Sequence, residues 1–429
     1  MYLIYLFLIH FYRLGLERTR HMPSPLRDAS IALIKATIPA LAEHGITITQ
    51  TMYARLFQNR EIAALFNQSH QSNGMQSEAL AGAILAYAHN IDNLAVLGPA
   101  VERIAAKHVG AHILPEHYHF VAEALLGAIS DVLGDAATPE ILDAWGEAYW
   151  FLANVLIKRE KDLREAAARA EGGWTGWRPF IVADKIRESD CITSFILRPA
   201  DGGPVLWHQP GQYLTITLSP AGIPPMKRNY TISCAPNGKY YRLTVKREAS
   251  GGGASAFLHD QMSVGDTLLA TPPAGDFVLP ETQMRPVILV SAGVGLTPMV
   301  SMAESLAARH CPVPVHFIHC TPNSKTHAMG AALNALAERH KDRMTVTTFY
   351  SRPLATDEQG VAYDQQGRIT AQWLTVWLAA HIPLMDADLY LCGPHSFLHD
   401  MLTGLDAAGV PAERINHELF GPTISLQAA

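Results

Sequence analysis

The spacing of apolar residues along the chain divides it into regions of different character. Between residues 30 and 169 apolar positions recur every three to four residues, and no strand-like alternation interrupts them. This period predicts an all-α domain with one apolar face on each helix. The residues that share such a face are Leu80, Ile84 and Tyr87 in the segment 76–90, and Val101, Ile104, Ala105 and His108 in the segment 100–109.

The pattern changes after a polar, glycine-containing break at 170–180. Between 180 and 280 short β-rich runs are separated by Gly, Pro and Asn turns, which predicts a small antiparallel barrel. From residue 286 onward strands alternate with helices, as is typical of a parallel, doubly wound sheet with crossover helices. We therefore predict a multidomain fold made of an all-α domain at 23–169, a linker at 170–176, an antiparallel β-barrel domain at 177–284 and an α/β doubly wound domain at 285–429.

The first 22 residues do not fit this organisation. Residues 1–12 are almost wholly apolar, and arginines follow them rather than precede them, which is the reverse of a secretory signal. The run is also shorter than the about 20 apolar residues that a spanning helix needs. We expect residues 1–22 to be a non-globular extension or to follow from a start codon upstream of Met22. The alternative is a weak anchor to a membrane surface.

Composition narrows the class of protein. Lysine and arginine number 33 against 39 acidic residues, and the resulting net charge of −6 argues against nucleic acid as a partner. Hydrophobic residues make up 48% of the chain, enough for several cores. The five cysteines are scattered without CxxC spacing, which favours reduced intracellular thiols over a disulfide framework or a zinc site. We expect a cytoplasmic, monomeric enzyme that acts on small molecules, without stable membrane insertion.

Three motifs in the second half of the chain suggest nucleotide chemistry. A buried-type strand at 287–292 runs into a GVG turn and a helix expected to open at Pro298, where glycines let the backbone approach a phosphate and the helix N-terminus offers free N–H groups. The same sequence is also common in ordinary strand-to-helix turns. The candidate cofactor-binding residues are Gly293, Val294, Gly295, Leu296, Thr297 and Pro298 at this turn, Arg228, Asn229, Tyr230 and Thr231 on an earlier strand, and Cys392, Gly393 and Pro394 at a later turn.

These motifs, together with the sequence PGQY ending at Tyr213 and a C-terminal ELFGP, resemble the ferredoxin–NADP reductase family of flavin modules. The resemblance implies that the arginine–aromatic strand binds FAD and that the SAGVG and CGP turns hold NADH or NADPH. The C-terminal residues implied to lie at the flavin are Leu419, Phe420, Gly421 and Pro422. Leu419 departs from the cysteine that the family usually has, so any role of that side chain is absent here.

The helical region resembles a globin. Phe66 follows one predicted helix, Gln76 and Leu80 share the face of the next, and His108 comes about thirty residues later. By itself His108 on an apolar face would be interpreted as a buried structural histidine. With the KATIP, FNQS, AxKH and LDAWGEAY motifs in order, the region resembles the globin domain of the flavohaemoglobins. A globin followed by a reductase module matches that family over essentially the whole chain after Met22.

The flavohaemoglobin resemblance implies a set of roles in the helical region. It implies haem b bound through iron to His108, a second shell around that histidine, a distal pocket for dioxygen, and a charge pair between haem and flavin. The residues implied for these roles are Tyr118 and Glu160 in the second shell, Tyr53, Gln76 and Leu80 in the distal pocket, and Lys107 and Glu418 in the charge pair. Taken singly, each also fits a packing or surface role.

The resemblance also implies an activity, that of a nitric oxide dioxygenase. Electrons would pass from NADH or NADPH to FAD and then to haem, and dioxygen and nitric oxide would give nitrate, a detoxification of nitric oxide. Two alternatives stay open from the residues alone: a haem-based oxygen or redox sensor, and a general flavin reductase. The preference for NADH or NADPH also stays open, because Ser324 and Lys325 fit either a 2′-phosphate contact or an exposed polar turn.

Overall fold

The structure is a computed structural model that describes residues 26–63, 75–219, 225–248, 253–382 and 386–420. The segment 1–22, Phe66, Gly421 and Pro422 lie outside the described residues. No single helix in the described ranges is long and apolar enough to cross a membrane. The helices Asp28–Ala36 and Ile38–Leu56, bent by 70° at their junction, would together be long and apolar enough by length and composition alone.

The N-terminal region is helical, as predicted. Its helices are α1 (Asp28–Ala36), α2 (Ile38–Leu56), α3 (Arg60–Ala63), α4 (Met75–His89), α5 (Gly98–Gly110), α6 (Tyr118–Leu133) and α7 (Pro139–Arg169). The long helix α7 begins at a proline that follows Thr138, whose side chain accepts a hydrogen bond from the Ile141 N–H. Ile34, Ile48 and Ile129 are almost completely buried in the shared core. The Tyr87 hydroxyl donates to the Ala148 carbonyl at 2.9 Å and ties α4 to α7.

The middle region forms a six-stranded antiparallel sheet with one helix. The elements are β1 (Arg178–Arg187), β2 (Ile192–Pro199), β3 (Tyr213–Leu218), β4 (Met226–Thr231), β5 (Tyr241–Lys246), α8 (Ala254–Asp260) and β6 (Thr267–Ala270). The strand order is β4-β3-β6-β1-β2-β5. A bridge between Ile232, directly after β4, and Leu243 in β5 brings the two ends of this order together, consistent with the predicted barrel.

The C-terminal region is an α/β unit whose strands are all parallel. Its elements are β7 (Val287–Ala292), α9 (Leu296–Ala308), β8 (Val315–Thr321), α10 (Gly330–Arg339), β9 (Met344–Tyr350), β10 (Gln365–Gln366), α11 (Ala371–His381), β11 (Asp388–Cys392), α12 (His395–Ala407) and β12 (Ile415–Glu418). The order β10-β9-β8-β7-β11-β12 places β7 between β8 and β11. The chain thus winds outward in both directions from β7, and such a reversal opens a ligand crevice at the carboxyl ends of the strands.

The predicted helical region, antiparallel β region and parallel α/β unit are confirmed, and the sheet is consistent with the predicted barrel. One helix start differs, because α9 begins at Leu296 rather than at Pro298. A proline is accommodated within the first turn of a helix, where its missing N–H has no intrahelical partner to lose. Proline therefore places a helix start only to within a few residues.

Candidate functional site

Three helices converge on the imidazole of His108. His108 lies in the last turn of α5, Tyr118 is the first residue of α6, and Glu160 lies within α7. The Nδ1 atom of His108 is 2.8 Å from Glu160 Oε1 and 2.9 Å from the Tyr118 hydroxyl. The same hydroxyl donates to Glu160 Oε1 at 2.5 Å. Glu160 is fully buried, so both contacts act in a low dielectric.

This arrangement suits a histidine that coordinates iron. Both hydrogen bonds engage Nδ1, so Nε2 is the nitrogen available for a metal, as in other metal-binding histidines whose second nitrogen meets a carboxylate. Within the described residues no group of three or more His, Cys, Asp or Glu side chains is placed to hold a metal ion. A single protein ligand fits a metal whose other ligands come from a prosthetic group, which is the ligation that haem requires. The residues present therefore fit haem.

The residues predicted for the distal pocket lie together on two neighbouring helices. Tyr53 on α2 forms a side-chain hydrogen bond with Gln76 on α4. Burial raises the pKa of the Tyr53 phenol to about 12, and the Gln76 contact opposes part of that rise. Tyr53 and Leu80 both pack, partly buried, against the helical core. Tyr53 therefore stays protonated and can donate a hydrogen bond at any physiological pH.

One face of α5 contacts the reductase part of the chain. Arg103, Lys107 and Gly110 follow at i, i+4 and i+7, so they point to the same side of the helix. The Arg103 guanidinium lies 3.3 Å from a carboxylate oxygen of Asp276, in the loop after β6. The Gly110 carbonyl accepts a hydrogen bond from the Thr271 hydroxyl at 3.2 Å. The helix that carries His108 is therefore also the helix that contacts the loop after β6.

Glu418 lies close to this interface at the end of β12. Burial raises its pKa to about 7, the charges of Lys107 and Arg103 oppose that rise, and the charge of Asp276 adds to it. The charges of the predicted pair, Lys107 and Glu418, therefore act on each other within a group of two cations and two carboxylates. Arg103 and Asp276 were missed from the sequence. The i, i+4 spacing of Arg103 and Lys107 is the signal that would have pointed to a shared face.

Tyr213 fills the space between the two parts of the chain. A methyl group at Gly110 would come within 3.0 Å of the Tyr213 hydroxyl oxygen and of the Ala274 Cβ. Glycine at position 110 therefore lets the ring of Tyr213 reach the end of α5. Burial raises the pKa of the Tyr213 phenol well above its ordinary value, so this hydroxyl remains protonated.

The strand that carries the arginine–aromatic motif pairs along its whole length with β3. Arg228 lies opposite Ile216, Asn229 opposite Thr215, and Tyr230 opposite Leu214. The Thr215 hydroxyl donates to the Asn229 side-chain oxygen at 2.9 Å. Arg228, Tyr230 and Thr231 are partly exposed, and burial raises the pKa of Tyr230 to about 12. A cation and an aromatic ring on a rigid strand fit the pyrophosphate and ring system of a flavin.

The two predicted dinucleotide turns are in contact with each other. A Cβ at Gly295 would lie 2.2 Å from the Cys392 carbonyl oxygen, and one at Gly393 would lie 3.0 Å from the Ala292 Cβ. Gly293 adopts a positive φ of 58°. Glycine at 295 and 393 therefore lets the carboxyl ends of β7 and β11 approach closely at the edge where the crevice opens, and glycine at 293 permits the left-handed backbone of the turn. Val294 is partly exposed there, whereas Leu296, Thr297 and Pro298 are buried at the start of α9.

The C-terminal motif follows at the same edge. Cys392 pairs in register with Glu418 on β12, and burial together with the Glu418 charge raises the pKa of the Cys392 thiol well above its ordinary value. Leu419 packs against the sheet core, and Phe420 is 45% exposed. Pro394 lies between β11 and α12. Ser324 and Lys325 are exposed after β8, and the Ser324 N–H donates to Asp357 at 3.3 Å.

The family models match two separate stretches of this chain. A globin model matches residues 50–156, and a model described as an oxidoreductase NAD-binding domain matches residues 289–402. The chain is 55% identical over 408 residues to a flavohemoprotein of Xylella fastidiosa strain 9a5c, covering 95% of this chain and 100% of the relative. It is 43% identical over 401 residues to a flavohemoprotein of Rhizobium meliloti, covering 91% of this chain and 97% of the relative.

Solved structures that are similar to this one include two with related descriptions. The flavohemoglobin of Malassezia yamatoensis, solved with bound FAD and heme, superposes with a TM-score of 0.80 at 28% identity and covers 93% of this chain and 100% of its own. The FAD/NAD-binding domain of a nitric oxide dioxygenase from Vibrio cholerae is 39% identical, with a TM-score of 0.51 over 57% of this chain and 99% of its own.

Proposed function

Because this chain belongs to the flavohemoprotein family, we propose that it is a nitric oxide dioxygenase, converting nitric oxide and dioxygen to nitrate with electrons from NADH or NADPH. At the level of the family it is an NAD(P)H-dependent oxidoreductase with a globin part and a reductase part, whose cofactors are haem and FAD.

The observation that carries the proposal is the fully buried carboxylate of Glu160 on His108 Nδ1. A hydrogen bond to a carboxylate increases the electron donation of a coordinating histidine, which favours chemistry on a bound gas over its reversible storage. The Vibrio cholerae relative, named a nitric oxide dioxygenase, supports the same reaction.

The electron balance of the reaction is simple. Each nitric oxide loses three electrons on becoming nitrate, and each dioxygen gains four. Two nitric oxide molecules and two dioxygen molecules therefore require the two electrons of one NAD(P)H and release one proton. When bound, haem supplies an iron that binds dioxygen, and FAD converts a two-electron hydride into single electrons.

The residues of this chain would bind and orient the substrates and cofactors. Tyr53 and Gln76 would donate hydrogen bonds to dioxygen and orient it, and Leu80 would limit the space available to it. Arg228 would hold the flavin pyrophosphate, and Tyr230 and Tyr213 would contact the flavin. The GVG and CGP turns would hold the nicotinamide dinucleotide. The charges of Lys107 and Glu418 would act on both redox groups.

We also propose that this protein is cytoplasmic and monomeric. The five cysteines are free, which supports a reducing compartment such as the cytoplasm. We include a monomeric state, which analytical ultracentrifugation of the purified holoprotein tests directly.

The test of the proposed reaction measures NADH consumption and nitrate formation in one assay. Purified holoprotein with NADH and dioxygen should consume NADH slowly, and the addition of nitric oxide should accelerate consumption and produce two nitrates per NADH. A sensor would show no nitrate. A general flavin reductase would show NADH consumption that is independent of nitric oxide and unchanged after haem loss.

A further inference from the structure

Arg164 lies one helical turn after Glu160 on α7 and contacts the same carboxylate. Its Nη2 is 3.4 Å from Glu160 Oε2, and the Arg164 side chain is only 18% exposed. The same nitrogen donates to the Ile113 carbonyl oxygen. The Nε atom is buried without a hydrogen-bond partner in the described part of the chain. This arginine is therefore held inside the protein and is not a solvated charge at the end of a helix.

The two oxygens of Glu160 have different partners. Oε1 meets His108 Nδ1 and the Tyr118 hydroxyl, whereas Oε2 meets Arg164. A carboxylate held at one oxygen can rotate about its side-chain torsions, but one held at both oxygens cannot rotate without breaking a charged hydrogen bond. Because Glu160 is fully buried, water does not replace a hydrogen bond that is broken there.

Arg164 also anchors the backbone that leaves the proximal helix. The Ile113 N–H donates to the His108 carbonyl at 2.9 Å, and the Ile113 carbonyl accepts from Arg164. The arginine thus connects α7 both to the carboxylate on the histidine side chain and to the segment that ends the helix carrying that histidine.

We propose that Arg164 is a positioning residue for the proximal histidine, acting through Glu160. It holds Oε2 and the Ile113 carbonyl so that Oε1 stays directed at His108 Nδ1. The inference rests on the proposed function in one respect, that His108 is the haem ligand. Its consequence is that Arg164 keeps the histidine strongly electron-donating and thereby stabilises ferric over ferrous haem.

The test replaces Arg164 with methionine, which retains the length and packing of the side chain without its charge or donors. We expect the ferrous form of Arg164→Met to be favoured by roughly three- to tenfold over wild type, because Oε1 is no longer held toward His108 Nδ1. This loss of orientation outweighs the loss of the cation, which alone would favour the ferric form. Tenfold corresponds to about 59 mV for a one-electron couple. Spectroelectrochemistry measures the haem potential. Resonance Raman of the ferrous protein should show the iron–histidine stretching band at lower frequency.

Two further variants separate positioning from packing. Arg164→Lys keeps a cation and should stay within twofold of wild type in the ferric–ferrous equilibrium. Arg159→Met is the matched control, since Arg159 lies on the same helix and pairs at 2.8 Å with Glu102, more than half exposed. It should shift neither the potential nor the Raman band. All three variants should retain wild-type reduction of an artificial dye by NADH.

The outcomes separate this inference from the function on which it rests. An unchanged haem potential and Raman band in haem-replete Arg164→Met would overturn the positioning role of Arg164. A shift toward the ferric form would also overturn it. So would an Arg164→Lys variant whose potential is shifted as far as that of Arg164→Met. If Arg164→Met folds poorly, Arg164→Gln must show the same shift. If His108→Ala retains the wild-type haem spectrum, the assignment of the ligand fails instead, whatever the Arg164 variants show.

Discussion

At the scale of single residues, burial determines what the functional side chains can do. Tyr53 and Tyr118 are phenols whose pKa values burial raises, so both remain donors. Their partners differ, because Tyr118 meets a buried carboxylate and Tyr53 meets the Gln76 amide. The Tyr118 hydroxyl is therefore committed to Glu160 beside His108, whereas the Tyr53 hydroxyl is the one that we propose donates to a ligand in a distal pocket.

We predict that Tyr53→Phe accelerates dioxygen dissociation from the reduced protein roughly ten- to a hundredfold. A donor to a charged or strongly polarised acceptor contributes about 1.5–3 kcal/mol, and 1.4 kcal/mol is a factor of about ten. Stopped-flow dissociation measures the effect. The control is Tyr87→Phe, which removes the hydroxyl of another buried tyrosine that donates to the Ala148 carbonyl. A Tyr53→Phe rate within twofold of wild type would leave Gln76 as the principal donor.

Glu418 gives a prediction about pH. Its pKa is raised from 4.5 in the unfolded chain to about 7 in the folded one, so the folded state binds the proton more tightly. The carboxyl therefore destabilises the fold progressively as pH rises from about 4.5 to 7, and the penalty is constant above that range. Glu418→Gln lacks this penalty. We expect the stability gain of Glu418→Gln over wild type to be larger at pH 8 than at pH 5, by about 2 kcal/mol in the free energy of unfolding. Thermal midpoints of both proteins at the two pH values measure this gain. A pH-independent difference would contradict the raised pKa.

At the scale of elements, the helix α5 serves two purposes. Its apolar face holds His108 against α6 and α7, and its polar face holds Arg103, Lys107 and Gly110 against the reductase part. The apolar face could be predicted, because its period is visible in the sequence. The contact of Arg103 with Asp276 could not, since nothing in the sequence indicates which distant loop a helix face will meet.

We predict that Asp276→Asn slows electron transfer from flavin to haem by about two- to fivefold without changing flavin reduction by NADH. Both partners of this ion pair are about half exposed, and such pairs contribute about 0.2–1 kcal/mol. Stopped-flow spectroscopy with separate flavin and haem signals measures both steps. Asp260→Asn is the control, because it breaks a comparably exposed pair with Arg247 away from α5. An equal slowing in the control would remove the specific role of Asp276.

The surroundings of His108 show the same limit on prediction. Glu160 lies 52 positions after His108, and only the family resemblance indicated that the two meet. Arg164 was missed altogether, because a charged residue in a run such as KREKDLRE is typical of a solvated helix end. What turns that side chain inward is the buried carboxylate one turn earlier, a property of the packed helices and not of the local sequence.

At the scale of the whole molecule, three periodicities specify three architectures. The three-to-four residue period, the short alternating strands and the strand–helix alternation each predicted the architecture that the structure has. The limits of the domains remain our proposal. They place the haem ligand at 23–169 and the hydride path at 177–429, which makes the two activities separable by mutation.

We predict that His108→Ala abolishes haem binding while NADH-dependent reduction of an artificial dye stays within twofold of wild type. We propose this imidazole as the haem ligand, and it lies outside the regions that we propose for flavin and dinucleotide. Haem absorbance and dye reduction on the same preparation measure the two properties. His119→Ala, an exposed histidine on α6, should change neither. Parallel loss of both activities in His108→Ala would show that the proposed domain division is wrong.

The fit of Gly110 against Tyr213 has a consequence for recombination between relatives. The two residues come from different parts of the chain, yet a Cβ at position 110 would already lie 3.0 Å from the Tyr213 hydroxyl oxygen, so a larger side chain there would displace the phenol. A crossover at 170–176 inherits position 110 from one parent and position 213 from the other. Chimeras should therefore transfer electrons from flavin to haem when the first parent supplies glycine at position 110. When that parent has a larger residue there, both parts should fold and bind their cofactors, but electron transfer between them should be slow.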